Sequence, residues 1–243
     1  MNLYEIKSAL SHLMLSAQKT GRISALDYNL ALEVCQNEYF NDQIAKLEET
    51  SEVSDDLSPF IVTLGTPQYP ALAVDANGYA IKPSDYARRI QAGRKQYVSP
   101  SCGIAHSSTY RSVTFLPVEK FYGRLNGGPA SLLYPKKNRL IATQENGYFR
   151  IFPVGIATSI TFSYVRKPAT PFYDFNLSAS GAEVYLAPGA VHDGTNLTVG
   201  TPSRTVELEW NESNHYPLLQ RLVKYFAIPV EGQLQLQTLN PQK

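Results

Sequence analysis

The sequence is short of charged residues, cysteines and long apolar runs, and each shortage excludes a class of protein. Charged residues make up 18% of the chain, whereas about 25% is usual in globular domains. Cys35 and Cys102 form no CxxC pair, so neither a zinc site nor a disulfide framework is predicted. No run approaches the roughly 18 apolar residues of a membrane span, and residues 1–16 are amphipathic and charged, unlike a signal peptide. We therefore expect a protein made in a reducing cytoplasm, without membrane association.

The motifs of nucleotide-binding and nucleophilic enzymes are also missing. There is no GxxxxGKS/T or GxGxxG loop to hold phosphates, and no GxSxG nucleophile elbow. The histidines show neither HExxH nor HxH spacing, so no metal site is predicted. We accordingly expect no cofactor and no catalytic residues, which is to say a protein that is not an enzyme.

Two weak enzymatic alternatives stay open. Cys102 and His106 lie four residues apart in a segment rich in Ser and Gly, which allows a nucleophile and a base, although a solvated loop explains the same residues. Glu207 and Glu209 alternate in a predicted strand and would lie about 7 Å apart, within the range of glycosidase carboxylates. Glutamates on the solvated face of a strand are common, and this second interpretation is favoured.

Aromatic residues, by contrast, are plentiful. Tyrosine (16 residues) outnumbers phenylalanine (10 residues), and aromatic side chains reach 11% of the chain. A tyrosine combines an apolar ring with a polar tip, which suits surfaces that are buried against a partner protein. It is equally favourable in β-strands. Low charge and abundant tyrosine together favour a protein that works through its interfaces.

Positive and negative charges almost cancel, at 22 Lys and Arg against 21 Asp and Glu, a formal net charge of +1. Such a chain has no global attraction for nucleic acid or an anionic membrane, which argues against a dedicated DNA-binding protein. One local basic cluster stands out, and it comprises Arg88, Arg89, Arg94 and Lys95. This cluster is the candidate contact for DNA in a channel or for an acidic partner, although a solvated helix end is the simpler explanation.

Residues 1–50 are predicted to form two helices. Apolar residues recur at spacings of three and four along the first of them: Leu3, Ile6, Leu10, Leu13 and Ala17. After a break at Thr20-Gly21 a second stripe follows, with Asn37 as its polar interruption: Leu26, Leu30, Val34, Phe40, Ile44 and Leu47. Both patterns are typical of amphipathic helices. Two such helices joined by a short turn are expected to pack antiparallel.

Residues 57–210 are predicted to form a mainly antiparallel β-domain. Turn signals at Asp75–Gly78 and Glu145–Gly147, each flanked by strand-like residues, indicate two hairpins. Residues 159–165 and 204–210 alternate between apolar and polar side chains, as strands with one solvated face do. These alternating segments are expected to be the clearest strands of the domain.

Short helices interrupt and follow this β-domain. One is predicted near 85–91 and another over 117–126, beginning after Pro117. The long segment 168–202 is expected either to hold a short hairpin near 183–186 or to project as a functional loop.

The C-terminal part, 211–243, is predicted to form a helix and a tail. Its inward side chains are Tyr216, Leu219, Leu222, Val223 and Phe226, and the tail after Glu231 is either a loose extension or an arm that orders on a partner. The predicted fold is therefore α+β: an N-terminal antiparallel helix pair (1–50), a mainly antiparallel β-domain (57–210) and an additional C-terminal helix.

Five segments in order carry a resemblance to a known family: GRISALDYNLALEVCQNEYFN, SDDLSPFIV, YFRIFP, SITFSYVRKPATPFYDF and VELEWNESNHYPLLQRLVKYFAI. Their order resembles the virion structural proteins of crAss-like and related short-tailed phages that infect Bacteroidetes. The resemblance covers most of the chain, but its motifs are structural and include no catalytic signature. Residues 85–135 depart from the family pattern.

The resemblance implies a virion protein, made in the host cytoplasm, that forms part of the head-to-tail connector in the manner of a podovirus adaptor. Implied partners are further copies in a homo-oligomeric ring (a dodecamer), the portal protein and neighbouring tail ring proteins. Genomic DNA would pass through the channel without sequence-specific binding. A ring needs an interface that closes on rotation, but no active site. On this hypothesis residues 1–50 dock on the portal or on a neighbouring subunit, and the β-domain with residues 168–202 contacts the next ring.

The main alternative is a carbohydrate- or receptor-binding module on the virion surface or tail. Such a module needs a platform of exposed aromatic side chains, for which the candidates are Tyr148, Phe152, Tyr164, Phe172 and Tyr173. It would account for the β-rich part of the chain but not for the helical N-terminus. A hydrolase built on His106 or on the Glu207/Glu209 pair is a further alternative.

Overall fold

The computed structural model describes residues 1–16, 23–50, 55–90, 97–100, 111–136 and 139–226. The fold is α+β, with two N-terminal helices, mostly antiparallel sheets and a C-terminal helix, as predicted. Two compact units are present: unit 1 comprises Met1–Pro59 and Pro168–Lys243, and unit 2 comprises Phe60–Lys167. This grouping differs from the predicted division, which placed residues 168–210 with unit 2.

The helices of the described residues are α1 (Leu3–Ser16), α2 (Ala25–Thr50), α3 (Val118–Asn126) and α4 (His215–Tyr225), with 3₁₀ turns at Asp55–Phe60 and Glu212–Asn214. The strands are β1 (Ile61–Thr63), β2 (Leu72–Ala73), β3 (Tyr79–Ile81), β4 (Tyr86–Arg89), β5 (Tyr97–Pro100), β6 (Arg111–Phe115), β7 (Leu140–Glu145), β8 (Tyr148–Phe152), β9 (Ala157–Thr161), β10 (Ser163–Arg166), β11 (Phe175–Leu177) and β12 (Glu183–Tyr185). The helices predicted over 117–126 and after Asn211 are thus confirmed as α3 and α4.

The core of unit 1 joins helices α1, α2 and α4, because α4 packs against both of the others. Helix α1 buries the predicted stripe: Leu3, Ile6, Leu10 and Leu13. In its first turns α2 instead buries a different stripe from the predicted one: Tyr28, Ala31, Leu32 and Cys35. The prediction was wrong there because this part of α2 carries apolar side chains on two faces, and periodicity alone does not decide which face meets the core.

Strands β11 and β12 form the antiparallel hairpin that was predicted near residues 183–186. The strand predicted over 204–210 was wrong: its one ladder contact is an isolated bridge between Val206 and Phe172. The alternation in this segment does not mark a single buried face: Trp210 and Thr205 are buried, but Val206 is 37% exposed. A strand also needs a neighbouring strand to pair with, and beyond Phe172 none runs alongside these described residues.

Unit 2 contains two sheets. A three-stranded sheet has the order β1-β10-β4, and a seven-stranded sheet has the order β2-β9-β5-β6-β7-β8-β3, antiparallel except for the β6/β7 pair. Strands β7 and β8 form the hairpin predicted at Glu145–Gly147, where Gly147 has a positive φ of 76°. The helix predicted near 85–91 was wrong, because residues 86–89 form β4 and pair with β10, a partner that is remote in sequence.

The segment 159–165, predicted as one strand, instead serves both sheets. Strand β9 lies in the seven-stranded sheet and β10 in the three-stranded sheet, with Phe162 between them. The predicted inward face is confirmed, since Ile160, Phe162 and Tyr164 are all buried.

The turn predicted at Asp75–Gly78 is present, but its flanking strands do not pair with each other. Strand β2 pairs with β9, and β3 pairs with β8. The Asp75 carboxylate accepts hydrogen bonds from the backbone N–H groups of Asn77 (2.9 Å) and Tyr79 (2.7 Å). Because this one turn joins the first and last strands of the seven-stranded sheet, the sheet curls until its two edges lie near each other. The curl leaves an outer face on β8.

Candidate functional site

The two units carry opposite charges. Unit 2 contains 14 Lys and Arg against four Asp and Glu, a formal net charge of +10, and unit 1 contains eight Lys and Arg against 17 Asp and Glu, a net charge of −9. Four carboxylates cannot neutralise fourteen cations, so unit 2 is strongly positive whatever its individual ion pairs. The net charge of +1 for the whole chain conceals this separation of charge. The chain as a whole was expected not to attract nucleic acid, but that expectation does not apply to unit 2 taken by itself.

The predicted basic cluster does not form one patch on its described members. Arg88 and Arg89 are consecutive in β4, so their side chains lie on opposite faces of the strand. Arg88 is exposed, whereas Arg89 is half-buried, with its guanidinium carbon 4.2 Å from the centre of the Phe115 ring. Burial lowers the pKa of Arg89 from its usual range. Arg94 and Lys95 lie outside the described residues.

Aromatic side chains are concentrated instead on the outer face of β8. Tyr148, Arg150 and Phe152 alternate with the buried Phe149 and Ile151, and Tyr148 is 47% exposed. The ring centre of Tyr148 lies 6.1 Å from that of Tyr79, and the ring centre of Phe152 lies 6.0 Å from that of Tyr134. We refer to Tyr79, Tyr122, Tyr134, Tyr148, Arg150 and Phe152 together as the aromatic strip.

Arg150 is fixed in the middle of this strip. Its guanidinium carbon lies 5.4 Å from the centre of the Tyr79 ring and 5.5 Å from that of Tyr122. Its Nη1 donates to the Tyr122 hydroxyl (2.5 Å), which donates in turn to Glu145 Oε1 (2.8 Å). The hydrogen bond to Glu145 is the main reason why the pKa of Tyr122 is raised. The guanidinium group is thereby held against two rings.

Unit 1 presents a different kind of surface on α2. Six acidic residues and a single lysine give this helix a formal charge of −5. Leu26 and Leu30, one turn apart, are 79% and 54% exposed, and Glu33 on the next turn is exposed too. Leu26 and Leu30 thus form an exposed apolar pair on an otherwise acidic helix.

The predicted Glu207/Glu209 pair is used to hold backbone groups. Glu207 Oε2 accepts a hydrogen bond from Leu3 N (2.9 Å) at the start of α1, and Oε1 accepts one from the Tyr185 hydroxyl. Glu209 Oε2 accepts from Ala169 N (2.8 Å). These contacts support a structural role for both carboxylates and leave no free acid and base facing a common substrate.

Sequence reasoning missed Glu183, which caps α2 from a distance. Its Oε1 accepts a hydrogen bond from Ala25 N (3.0 Å) in the first turn of α2, and its Oε2 lies 2.5 Å from Lys7 Nζ. A carboxylate near a helix N-terminus is favourable because it complements the helix dipole. No local signal marks Glu183 for this role, since the helix it caps begins 158 residues earlier.

The buried polar side chains of unit 1 include an Asp–His pair. His192 Nε2 lies 2.9 Å from Asp174 Oδ2, and Nδ1 lies 2.8 Å from Asn176 Oδ1. Burial would raise the pKa of Asp174, but hydrogen bonds from Arg204 and His192 outweigh it and lower that pKa. Both ring nitrogens are occupied and His192 is 1% exposed, so the pair braces the fold and is not placed to activate a nucleophile.

The remaining enzymatic alternative rests on Cys102 and His106. Cys102 and His106 lie outside the described residues. Cys35 is buried, and burial raises the pKa of its thiol to about 11, which makes it a poor nucleophile.

The predicted carbohydrate platform does not assemble. Tyr164 and Tyr173 are each 2% exposed, and Phe172 lies under the guanidinium group of Arg204 at 5.1 Å. Only Tyr148 and Phe152 of the five predicted aromatics share a face. The rings that accompany them, on β3 and α3 and at Tyr134, were not predicted, because they come together only when the sheet curls.

Comparison with known proteins adds no family: no protein-family model matches the chain, and no curated protein matches it. Across the described ranges no cluster of three or more His, Cys, Asp or Glu is placed to hold a metal ion. Within the same part of the chain no helix is long and apolar enough to cross a membrane.

Proposed function

We propose that this protein is a structural subunit of a phage head-to-tail connector, a ring protein between portal and tail that works through its surfaces and not as an enzyme. The resemblance of its sequence to virion proteins of crAss-like phages suggests the class. The opposite charges of units 1 and 2 are the structural observation that carries the proposal.

A ring of identical copies needs two different surfaces on each copy, one complementary to the other. Unit 1 at −9 and unit 2 at +10 supply such a pair within one chain. Complementary charges speed encounter and disfavour like-to-like contact, so they favour a head-to-tail arrangement over a face-to-face dimer.

Helix α2 is the proposed contact surface of unit 1. Its acidic side chains suit the basic unit 2 of a neighbouring copy, and Leu26 and Leu30 supply an apolar centre. Burying a leucine side chain contributes about 1.5–3 kcal/mol. The charges would therefore set which surface α2 binds, while burial of the two leucines would supply most of the binding free energy.

The remaining partners follow from the same proposal. Copies would form a homo-oligomeric ring, a dodecamer by the resemblance, in contact with the portal protein and with neighbouring tail ring proteins. Genomic DNA would pass through the channel without sequence-specific binding, and the protein would reside in the virion after synthesis in the host cytoplasm.

Light scattering of the purified chain, alone and with portal protein, tests the proposal. We expect a closed oligomer, or a monomer that assembles on portal, and we expect assembly to weaken at 1 M salt, where the screening length shrinks to about 3 Å. The double variant Leu26→Ser/Leu30→Ser should reduce assembly. Leu15→Ser is the matched control, because Leu15 is 72% exposed on α1. A chain that stays monomeric at low salt and ignores portal would contradict the proposal.

A further inference from the structure

We propose that the aromatic strip on the outer face of β8 binds single-stranded nucleic acid, without sequence preference, by stacking bases on its rings and holding phosphates with the cations around it. This proposal goes beyond the connector role and does not depend on it. Stacking platforms inside a positively charged groove are the usual means of binding single strands.

The strip offers rings at the spacing that a strand imposes. Tyr148 and Phe152 are four residues apart on one face of β8, about 13 Å at the usual strand rise. Tyr148 is 47% exposed, and its Cα pairs with that of Ile81, which is 72% exposed. A base can therefore approach this face at Tyr148. Tyr79 meets Tyr148 edge-on, with 75° between the ring planes, and buttresses it.

Cations lie on the same elements as the rings. Lys120 and Arg124 lie two positions before and after Tyr122 on α3, which places them on the other side of that helix from the strip. Lys136 and Arg139, both exposed, follow Tyr134. Arg150 within the strip is partly neutralised by Glu145, 3.7 Å away, so its main role is to stack. Lys136 and Arg139 remain for phosphate groups.

The combination of charge and rings selects the ligand class. A neutral glycan would use the rings but would gain little from a unit with a net charge of +10. An acidic protein helix would use the charge and would pack apolar side chains against the rings, but it has no flat faces to stack on them. Duplex DNA keeps its base faces stacked inside, so it would engage only the cations. A single strand uses both features.

Fluorescence anisotropy with labelled oligothymidylate tests the proposal on the full chain. Tyr148→Ala is expected to weaken binding about 5- to 150-fold, the effect of losing one stacked base. Tyr148→Phe, which keeps the ring, should bind like the wild type. The matched control is Tyr225→Ala, since Tyr225 is 44% exposed but lies in the acidic unit 1. Circular dichroism checks that each variant is folded.

Two further arms separate stacking from charge alone. Lys136→Gln should weaken the binding of single strands and duplexes alike and reduce the salt dependence by about one phosphate contact. The Tyr148→Ala variant should form the same oligomer as the wild type. The nucleic-acid proposal can therefore fail while the connector proposal stands, and the two failures are distinguishable. The proposal is overturned if oligothymidylate does not bind, if Tyr148→Ala binds as well as the wild type, or if a duplex or a sulfated polysaccharide binds equally tightly.

Discussion

Glu183 ties together three parts of unit 1 that are far apart in the sequence. Its carboxylate contacts Lys7 on α1 and Ala25 at the start of α2, while the residue itself lies in β12. The side chains of Lys7 and Glu183 are only 11% and 17% exposed, and the ammonium group lies 4.3 Å from the centre of the Tyr173 ring. Replacing Glu183 by glutamine would remove the carboxylate charge that lies 2.5 Å from this largely buried ammonium group.

The expected cost of Glu183→Gln is about 3.5 kcal/mol in the free energy of unfolding. Breaking a buried ion pair by removing one partner costs about 3–5 kcal/mol. The glutamine amide keeps an acceptor for Ala25 N, which places the cost at the lower end of this range. The lost charge at the N-terminus of α2 adds about 0.5 kcal/mol. Such a loss is a large fraction of the 5–15 kcal/mol, roughly, by which domains are stable.

Urea unfolding followed by tryptophan fluorescence measures this loss. Trp210 is the single tryptophan, lies buried in unit 1, and has its ring centre 4.8 Å from that of Tyr39, so it reports on this unit. Glu33→Gln, an exposed glutamate on α2, is the control and should change stability by less than about 0.5 kcal/mol.

A double-mutant cycle with Lys7→Met sharpens the test. Methionine removes the buried charge and keeps an apolar stem, so the double variant should recover at least about 1 kcal/mol relative to Glu183→Gln alone. If Glu183→Gln is within about 1 kcal/mol of the wild type, or if Lys7→Met gives no recovery, the ion pair does not hold unit 1 together as argued.

Three further predictions concern backbone, pH and thiol chemistry. Gly78→Ala should destabilise unit 2 by more than about 3 kcal/mol, against about 1–2 kcal/mol for Gly147→Ala, as measured by thermal unfolding. Both glycines have positive φ, but a Cβ at Gly78 would lie 2.5 Å from the Ile151 carbonyl oxygen, whereas one at Gly147 would meet nothing within 4 Å; equal losses would contradict this. Burial lowers the pKa of His215 from its usual 6.5, so the unfolded state binds a proton at a higher pH than the folded state and stability should fall as the pH drops below 6.5. The variant His215→Asn should flatten this part of the profile of stability against pH, and an unchanged slope would refute the prediction. Cys35, with its thiol pKa raised to about 11, should resist alkylation at pH 8 until unit 1 unfolds, as peptide mass spectrometry would show; rapid labelling of the folded chain would contradict its burial.

The elements that sequence reasoning predicted correctly are those with local causes. Helix α3 begins after Pro117, the β7/β8 hairpin turns on Asn146-Gly147, and α1 buries the stripe that its spacing indicates. In each case the deciding residues lie within a few positions of the element. The turn at Asp75–Gly78 was equally predictable for this reason.

The errors have non-local causes. Residues 86–89 form a strand because β10 lies beside them, and residues 204–210 do not form a regular strand because none of the described elements pairs with them beyond one bridge. The start of α2 has two apolar faces, and the face that carries Tyr28 is the one buried in the core. Strand partners and the choice between two faces depend on the rest of the chain, which local patterns do not contain.

The candidate surfaces divide in the same way. The sequence alone establishes the α+β class, the scarcity of catalytic motifs and the excess of tyrosine, because composition and short-range patterns are properties of the chain. It also contained the basic segment 60–167, whose charge could have been counted in advance. The three-dimensional contacts were needed to show that this segment is a unit of its own and that residues 168–243 group with the acidic N-terminal part. The aromatic strip likewise depends on the curl of the sheet, since it gathers rings from positions 79 to 152. Packing forces bring these positions together, because burying the apolar side of the sheet outweighs the entropy of closing the loops between them.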